Sequence, residues 1–425
     1  MSVRKQLSRR SLLKTAGAVA AGMTAMSARS YARVLGANDR IATAYIGCGG
    51  IAKQGHLKEI LPTLFKDRKL DVLVACDVYR KHALEFQGMV KEAGGDLKLV
   101  GDYHEILALK DVDYVSIATP EHWHAKMAID ALSAGKHVYV EKPITHTIEE
   151  AKEVVAKVKE TGLKLQVGVQ GMSDDSYAAA HEAILAGKIG TVVEAQIEYC
   201  RDYSLDGGPW RNKGLDSKMP KPDDLDWDAW LGPAPKRSWD PHRYFEWRNY
   251  RDYSGGIATD LFVHRITRII KSCGLQFPVR VAGMGGIYTW PDGRDLPDSF
   301  EMLAEYPKIE KVTNGMTVHL LGTMANRHTI EHLIRGTKGT LIFIRNQGWE
   351  IRELRTENVL FKHARTGGED IWRQHANLHD AIRDNKPLNC PAELGQYGLT
   401  AVAMANLSWF NKKMMTWDDK AGQAA

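Results

Sequence analysis

The most restrictive feature of this chain is a short apolar run, 41–46, that passes directly into Gly47-Cys48-Gly49-Gly50-Ile51-Ala52 and then into an amphipathic stretch over 51–64. A strand that leaves through a glycine-rich turn and enters a helix at once has few ways to fold, and one common use. Gly47 permits the tight turn, Gly49 lets backbone approach a pyrophosphate, and Ala52 keeps helix and strand close. The helix N-terminus, which Gly50 and Ile51 open, faces the phosphate charge. A second apolar run over 70–76 ends at Asp77. A carboxylate there accepts hydrogen bonds from adenosine ribose hydroxyls and repels a 2′-phosphate. The pattern predicts NAD in preference to NADP, on Gly47, Gly49, Gly50, Ile51, Ala52 and Asp77. Asp77 lies 28 residues beyond Gly49, against the usual ~20, so the first helix and its loop are expected to be extended.

The alternation continues. Strands are expected over 114–117, 137–140 and 164–169, with helices near 125–134 and 148–161, the last opened by a capping box of Thr147 and Glu150. This predicts an α/β fold: an N-terminal Rossmann domain, 38–170, built on a doubly wound parallel sheet. Beyond residue 171 the periodicity changes. A helix over 176–186 and a strand over 192–200 lead into a tryptophan-rich insert, 201–253. A helix near 260–273, several strands over 279–352, and helices over 372–384 and 392–413 follow. Asn314-Gly315 reads as a two-residue hairpin turn. The second domain, 171–425, is therefore expected to be α+β with a large, mostly antiparallel sheet.

Residues 1–38 hold Arg4, Lys5, Arg9, Arg10, Lys14, Arg29 and Arg33 but no Asp or Glu, so the chain's net charge of +5 becomes −2 once those seven are set aside. That removes the electrostatic case for a nucleic-acid partner. Ser8-Arg9-Arg10-Ser11-Leu12-Leu13-Lys14, followed by an Ala/Gly-rich apolar run, reads as a twin-arginine signal peptide over 1–32. It implies export after folding, to the periplasm or another extracytoplasmic space. No run of eighteen apolar residues offers a stable membrane span. The five cysteines are scattered with no C-x-x-C, which suits neither a disulfide framework nor a zinc site.

Two further motifs narrow the field. Thr119-Pro120-Glu121-His122-Trp123-His124 follows one predicted strand, and Glu141-Lys142-Pro143 follows the next. With Gly255-Gly256-Ile257-Ala258-Thr259-Asp260, His264, Arg335-Gly336-Thr337-Lys338-Gly339 and the helix over 375–386, they resemble the Gfo/Idh/MocA family of glucose–fructose oxidoreductase and inositol dehydrogenase. The resemblance covers nearly the whole chain after residue 38. It implies that Lys142 reaches both the nicotinamide ribose and the reacting hydroxyl, and that His264 is the general acid/base with Asp260 orienting it or the substrate. It implies cofactor contacts for Thr119, Pro120, His122, His124, Glu141, Lys142 and Gln170, and a homo-oligomer, dimer or tetramer, formed through the open sheet. Thr267 stands where many members carry a second acidic residue, and 169–174 lacks the arginines common after the sixth strand. His122-x-His124 and the pair His375 and His379 could each suggest half of a metal site. Pocket lining and helix packing are the favoured readings, and no metal is assigned.

In the insert, Trp, Tyr, Arg and Asp interleave in a way that suits sugars, because aromatic faces pack on C–H surfaces while charged groups bind hydroxyls. Arg201, Trp210, Arg211, His242, Arg243, Trp247 and Tyr253 are the candidate substrate contacts. A loop that packs its own side chains, or makes an oligomer contact, is the alternative for each. The expected function is NAD-dependent oxidation at a hydroxyl of a sugar, glycoside or polyol, as a simple dehydrogenase or redox-neutrally with retained NAD. A glycosidase working by oxidation, elimination and reduction is a second reading, although the cysteine- and tyrosine-containing segment of glycoside hydrolase family 109 is absent. A sugar-binding protein that kept the fold without turnover is a third.

Overall fold

The computed structural model describes residues 40–67 and 69–425; the expected export segment, 1–32, lies outside the described residues. Six strands, β1 (Ile41–Ile46), β2 (Leu70–Cys76), β3 (Lys98–Val100), β4 (Tyr114–Ile117), β5 (His137–Glu141) and β6 (Leu165–Gly168), form one sheet in the order β3-β2-β1-β4-β5-β6 with every pair parallel. β1, β4 and β6 are buried along their whole length, as strands covered by helices on both faces must be. The first helix, α1, runs through Ile51–Leu57, Lys58–Ile60 and Leu61–Phe65. Pro62 lies inside it and removes a donor, and the helix ends on a wide turn in which the Lys66 N–H donates to the Leu61 carbonyl, five residues back, at 3.1 Å. This long first helix accounts for the stretched spacing to Asp77.

The sequence reading passed over α2 (Arg80–Glu92), β3 and the one-turn helix α3 (Tyr103–Leu107), which carry the chain from β2 to β4. α4 (Glu121–Ser133) and α5 (Ile148–Thr161) follow, and α5 has the expected capping box between Thr147 and Glu150.

The second sheet has ten strands. β7 (Val192–Glu198), β8 (Arg280–Gly286), β9 (Ser299–Tyr306), β10 (Thr313–Thr323), β11 (His332–Gly336), β12 (Thr340–Ile344), β13 (Gly348–Arg352), β14 (Val359–Ala364), β15 (Met415–Asp418) and β16 (Gln423–Ala424) lie in the order β14-β13-β12-β11-β7-β10-β9-β8-β15-β16. β7 and β10 are parallel, and the other neighbouring pairs are antiparallel. Asn314 and Gly315 are not a turn. They sit at an irregular point inside β10, where Gly315 takes φ +131°, and the chain reverses before them, with Lys311 at φ +64°. Thr313 pairs with Val192 of β7, and this long-range pairing overrides the local preference of Asn-Gly.

One face of the second sheet is covered by α6 (Ser176–Leu185), by α9 (Ile257–Phe262 continued by Val263–Cys273) and by α11 (Ala392–Asn411). The other face leaves Met284, Leu303 and Tyr288 exposed. α10 (Ile371–Asp384) crosses back to the first sheet: Leu378 joins the apolar cluster of Tyr45, Leu57, Phe86 and Tyr139, and Tyr139 Oη donates to Gln374 Oε1 at 2.8 Å. Among the described residues no helix is long and apolar enough to cross a membrane.

Candidate active site

The carboxyl ends of β1, β2 and β4 open onto a cavity of about 600 Å³ lined by Gly47, Gly49, Gly50, Ile51, Asp77, Thr119, Pro120 and Trp123. Gly47 has φ +88°, and a Cβ there would stand 2.7 Å from the Ala118 carbonyl oxygen. Cβ atoms on Gly49 or Gly50 would meet nothing within 4 Å, so the loop presents open backbone to the cavity. Asp77 Oδ2 accepts from the Cys48 N–H at 2.7 Å and Oδ1 from the Tyr79 N–H at 2.8 Å. Each oxygen keeps a lone pair for a further donor. Burial raises the Asp77 pKa, against the pull of those two amides. The His82 Nδ1 is 3.8 Å away, but burial lowers the His82 pKa; Lys53 is paired with Glu85. Thr119 Oγ1 is buried on the cavity wall without a partner among the described residues. An open amide loop, an acidic strand end and an orphaned hydroxyl fit a dinucleotide.

The tryptophan-rich insert is the opposite wall. α7 (Trp227–Leu231) and α8 (Pro241–Phe245) bring Asp226, Ala229, Trp230, Gly232, Tyr244, Phe245, Trp247 and Arg248 to this cavity. The expectation that the insert binds sugar is corrected for most of its candidates. Tyr253 is fully buried with Trp227, Trp230, Tyr244 and Tyr250 in one aromatic cluster. Arg211 pairs with Glu246 and with Asp292, His242 Nδ1 lies 2.9 Å from Glu246 Oε2, and Arg243 pairs with Asp252 at 3.1 Å. Trp210 packs against the main core at φ +57°. Trp247 faces the dinucleotide cavity with the Arg248 guanidinium 4.2 Å from its ring. Of the seven candidates, Arg201 alone lines the second cavity described below.

The catalytic candidates converge from distant segments. Lys142, just past the end of β5, donates from Nζ to Asp260 Oδ1 at 2.7 Å, and the Arg248 Nε–H donates to the same oxygen at 2.9 Å. Burial alone would raise the Asp260 pKa, but these two cations hold it well below the usual carboxylate range. His264 follows one turn along α9; burial, then the Lys142 charge, pushes its pKa well down, so its imidazole is neutral at ordinary pH. Beyond His264 lies a second cavity of about 940 Å³, lined by Tyr177, Tyr199, Arg201, Tyr203, Arg265, Arg268 and His332 among others. Lys142, Asp260 and His264 line neither cavity themselves but adjoin both: Arg248, bonded to Asp260, lines the first, and Tyr199, with its ring centroid 6.4 Å from that of His264, lines the second.

Several residues expected at the cofactor act behind it. His122 Nε2 lies 3.1 Å from the Trp230 carbonyl oxygen, so His122 anchors the insert, and burial lowers its pKa to about 3. His124 has its ring nitrogens near two carbonyls, Pro143 at 2.7 Å and Thr119 at 2.9 Å; burial lowers its pKa, and the neutral ring donates to one of them at a time as it sits between the two motif loops. Glu141 is buried with Oε1 2.9 Å from His56 Nε2, and Ala52 is fully buried beneath the loop. Gln170 opens the short turn Gln170–Ser173 and lines neither cavity. The sequence reading missed Glu121, which accepts from Ser254 Oγ at 2.6 Å, Thr259 Oγ1 at 2.8 Å and the Gly255 N–H at 3.1 Å, and so pins the start of α9 to α4. It also missed Arg248; a basic residue following an aromatic is too common to single out. His375 and His379 belong to a buried chain: His375 Nε2 is 3.0 Å from His56 Nδ1, and Tyr114 Oη is 2.8 Å from His375 Nδ1 and 3.4 Å from His379 Nε2.

A family model described as an oxidoreductase family with an NAD-binding Rossmann fold matches residues 41–169, and its companion, a C-terminal alpha/beta domain, matches 181–424. The chain is 40% identical over 107 residues to scyllo-inositol 2-dehydrogenase (NAD(+)) of Bacillus subtilis, covering 25% of this chain and 30% of the relative. It is 27% identical over 240 residues to glycosyl hydrolase family 109 protein 1 of Shewanella sp., covering 49% and 48%. The chain thus spans about a third to a half of the length of these curated relatives. A solved structure of levoglucosan dehydrogenase with NADH and L-sorbose shares the fold at TM-score 0.68 and 20% identity, with 89% of this chain and 99% of that one covered.

Proposed function

The chain belongs to the Gfo/Idh/MocA oxidoreductase family, and from that membership we propose that it oxidises a hydroxyl-bearing carbon of a sugar, glycoside or polyol with NAD. The observation that carries this reading is the Lys142–Asp260–His264 trio between a dinucleotide-shaped cleft and a second, polar cavity. Bound NAD supplies the hydride acceptor. Neutral His264 takes the hydroxyl proton as the carbon–hydrogen bond breaks, and the Lys142 ammonium group, fixed by Asp260, stabilises alkoxide character on the oxygen. Arg248 keeps Asp260 charged and anchored.

A redox-neutral cycle with retained NAD is the finer form we favour. Its supports are the insert folded over the cleft and the twin-arginine motif, which would deliver a folded, cofactor-loaded protein to a periplasm without a supply of NAD. Oxidation, elimination and re-reduction of a glycoside fits the same cycle and agrees with the family 109 similarity. Exposed Met284, Leu303 and Tyr288 on the open sheet face support a homo-oligomer, which sedimentation would reveal. The deciding experiment is native mass spectrometry of protein purified without nucleotide, followed by turnover of a glycoside panel with no NAD added. A protein that emerges empty and reduces stoichiometric added NAD to free NADH is a plain dehydrogenase.

A further inference from the structure

We infer that the second cavity takes an anionic sugar, one whose carboxylate is met by the guanidinium groups of Arg265 and Arg201 while a neighbouring hydroxyl is presented to His264. This deepens the oxidoreductase reading by naming the substrate class, and it rests on that reading only for what happens after binding.

The argument begins with how the charges of this cavity are partnered. Its arginines and carboxylates are equal in number, but they are not equally engaged. Asp174 is buried and paired with Arg365 at 3.1 Å, exposed Glu369 is paired with Arg268 at 2.7 Å, and buried Glu198 with His332 at 3.1 Å. Asp370 pairs with Arg373, and Asp202, at the exposed rim, is bonded by Ser204 at 2.9 Å. Glu331, Arg327 and Arg345 are also out toward solvent. Arg265 and Arg201 are different. Arg265 spends Nε on the Glu198 carbonyl oxygen at 2.9 Å, and Arg201 donates to the Tyr203 and Tyr199 hydroxyls at 3.0 and 2.5 Å. Neither has a carboxylate partner among the described residues.

Both guanidinium groups flank one ring: Arg265 lies 4.5 Å and Arg201 4.9 Å from the centroid of Tyr199, the residue whose ring neighbours His264. Burial, then the neighbouring Arg268 charge, brings the Arg265 pKa down to about 10 against the weaker pull of Glu369, whose carboxylate is paired with Arg268. A planar group with its terminal N–H donors free matches a carboxylate in bidentate geometry. Around it, Tyr177, Tyr199, Tyr203 and Phe343 supply faces for sugar C–H surfaces. This positive charge sits one residue along α9 from the proposed base, and both side chains neighbour the Tyr199 ring.

The test uses the purified full-length chain and three probes: methyl β-D-glucuronide, methyl β-D-glucoside and glucose 6-phosphate, each titrated calorimetrically. The glucuronide is expected to bind about 10- to 100-fold more tightly than the glucoside, the usual worth of a charge-assisted pair. Arg265→Gln is expected to remove that preference by weakening the glucuronide about 10- to 100-fold. If Arg265→Gln fails to fold, Arg265→Lys and the rim variant Arg201→Gln carry the test, each expected to lower the preference several-fold. Equal affinity for the two methyl glycosides in the unaltered protein, or a preference that survives the arginine variants, overturns the proposal. Tighter binding of glucose 6-phosphate than of the glucuronide overturns the carboxylate assignment. NAD affinity is titrated separately: absence of NAD binding defeats the oxidoreductase reading and leaves the sugar titrations to decide the anion site.

Discussion

Asp77 has two tasks that a sequence motif cannot separate. Its carboxylate orders the phosphate loop through the Cys48 N–H and is placed to accept from a ribose. Asp77→Ala is therefore expected to raise the NAD dissociation constant about 10- to 100-fold, the cost of losing hydrogen bonds to a charged group. NADP affinity should fall less, and fluorescence titration of both nucleotides checks the difference. Lys142→Gln and His264→Gln act at another level. Each is expected to lower turnover about 10²- to 10⁴-fold, the range of positioned proton transfer. NAD binding should survive, since neither side chain lines the nucleotide cavity. Single-turnover kinetics beside nucleotide titration separates the two effects; a loss of binding with unchanged turnover would remove both residues from the chemistry.

At the scale of elements, the insert works as a lid held at identifiable points. Trp123 of α4 donates from Nε1 to the Trp230 carbonyl at 2.8 Å, His122 reaches the same carbonyl, and Gly232 ends α7 against the Trp123 ring. Gly232 takes φ +49° and ψ −117°, and a Cβ there would lie 2.0 Å from Trp123 Cζ2. Gly232→Ala must push the lid off α4, at a cost of about 1–3 kcal/mol in strain and lost packing. The expected result is a lower melting temperature together with faster NAD release, seen by stopped-flow dilution. A variant that melts lower yet releases NAD at the original rate would show that this junction stabilises the fold without closing the cleft.

The whole molecule is held together partly by histidines that are buried in their neutral form. Burial first, then neighbouring positive charge where present, lowers His122 and His379 to about 3 and His375 well below its usual range. A group whose folded pKa lies below its unfolded value binds protons preferentially when unfolded. Its contribution is complete above about pH 6.5 and is lost as pH falls toward 3. Glu121 runs the other way: burial raises it to about 7, so the folded state holds its proton between roughly pH 4.5 and 7 and gains stability there on acidification. With His264 and other buried histidines lowered in the same way, the histidines outnumber Glu121 and predict net loss, with unfolding free energy falling by up to roughly 1 kcal/mol per pH unit for each histidine left uncompensated. Urea denaturation at pH 7.5 and 5 checks this. Glu121→Gln, which resembles the protonated form, should steepen the fall, because the compensating proton uptake is gone.

What could be read in the sequence alone was whatever is written locally. The alternation that gives β1, β2, β4, β5 and β6 depends on runs of buried residues, Gly47 on a positive φ, and the α5 capping box on two side chains three residues apart. That Lys142, Asp260 and His264 carry the chemistry was expected only through family resemblance, and the pairing of Lys142 with Asp260 was not expected at all, since no local pattern relates residues 118 apart. Tertiary structure alone decided the rest. The hydroxyls of Tyr114 and Tyr139 inside the first sheet find His375 and Gln374 on α10, 261 and 235 residues later, so a helix from the second half closes the core of the first. The insert's rings face one another and the nucleotide cavity, although the same alternation of aromatic and charged residues would serve a sugar. Hydrophobic pattern says that a ring must be covered; only the path of the chain says what covers it. For the same reason Arg211 and Arg265 look alike in sequence, yet one meets Glu246 and Asp292 while the other faces a cavity with no ion-pair partner among the described residues.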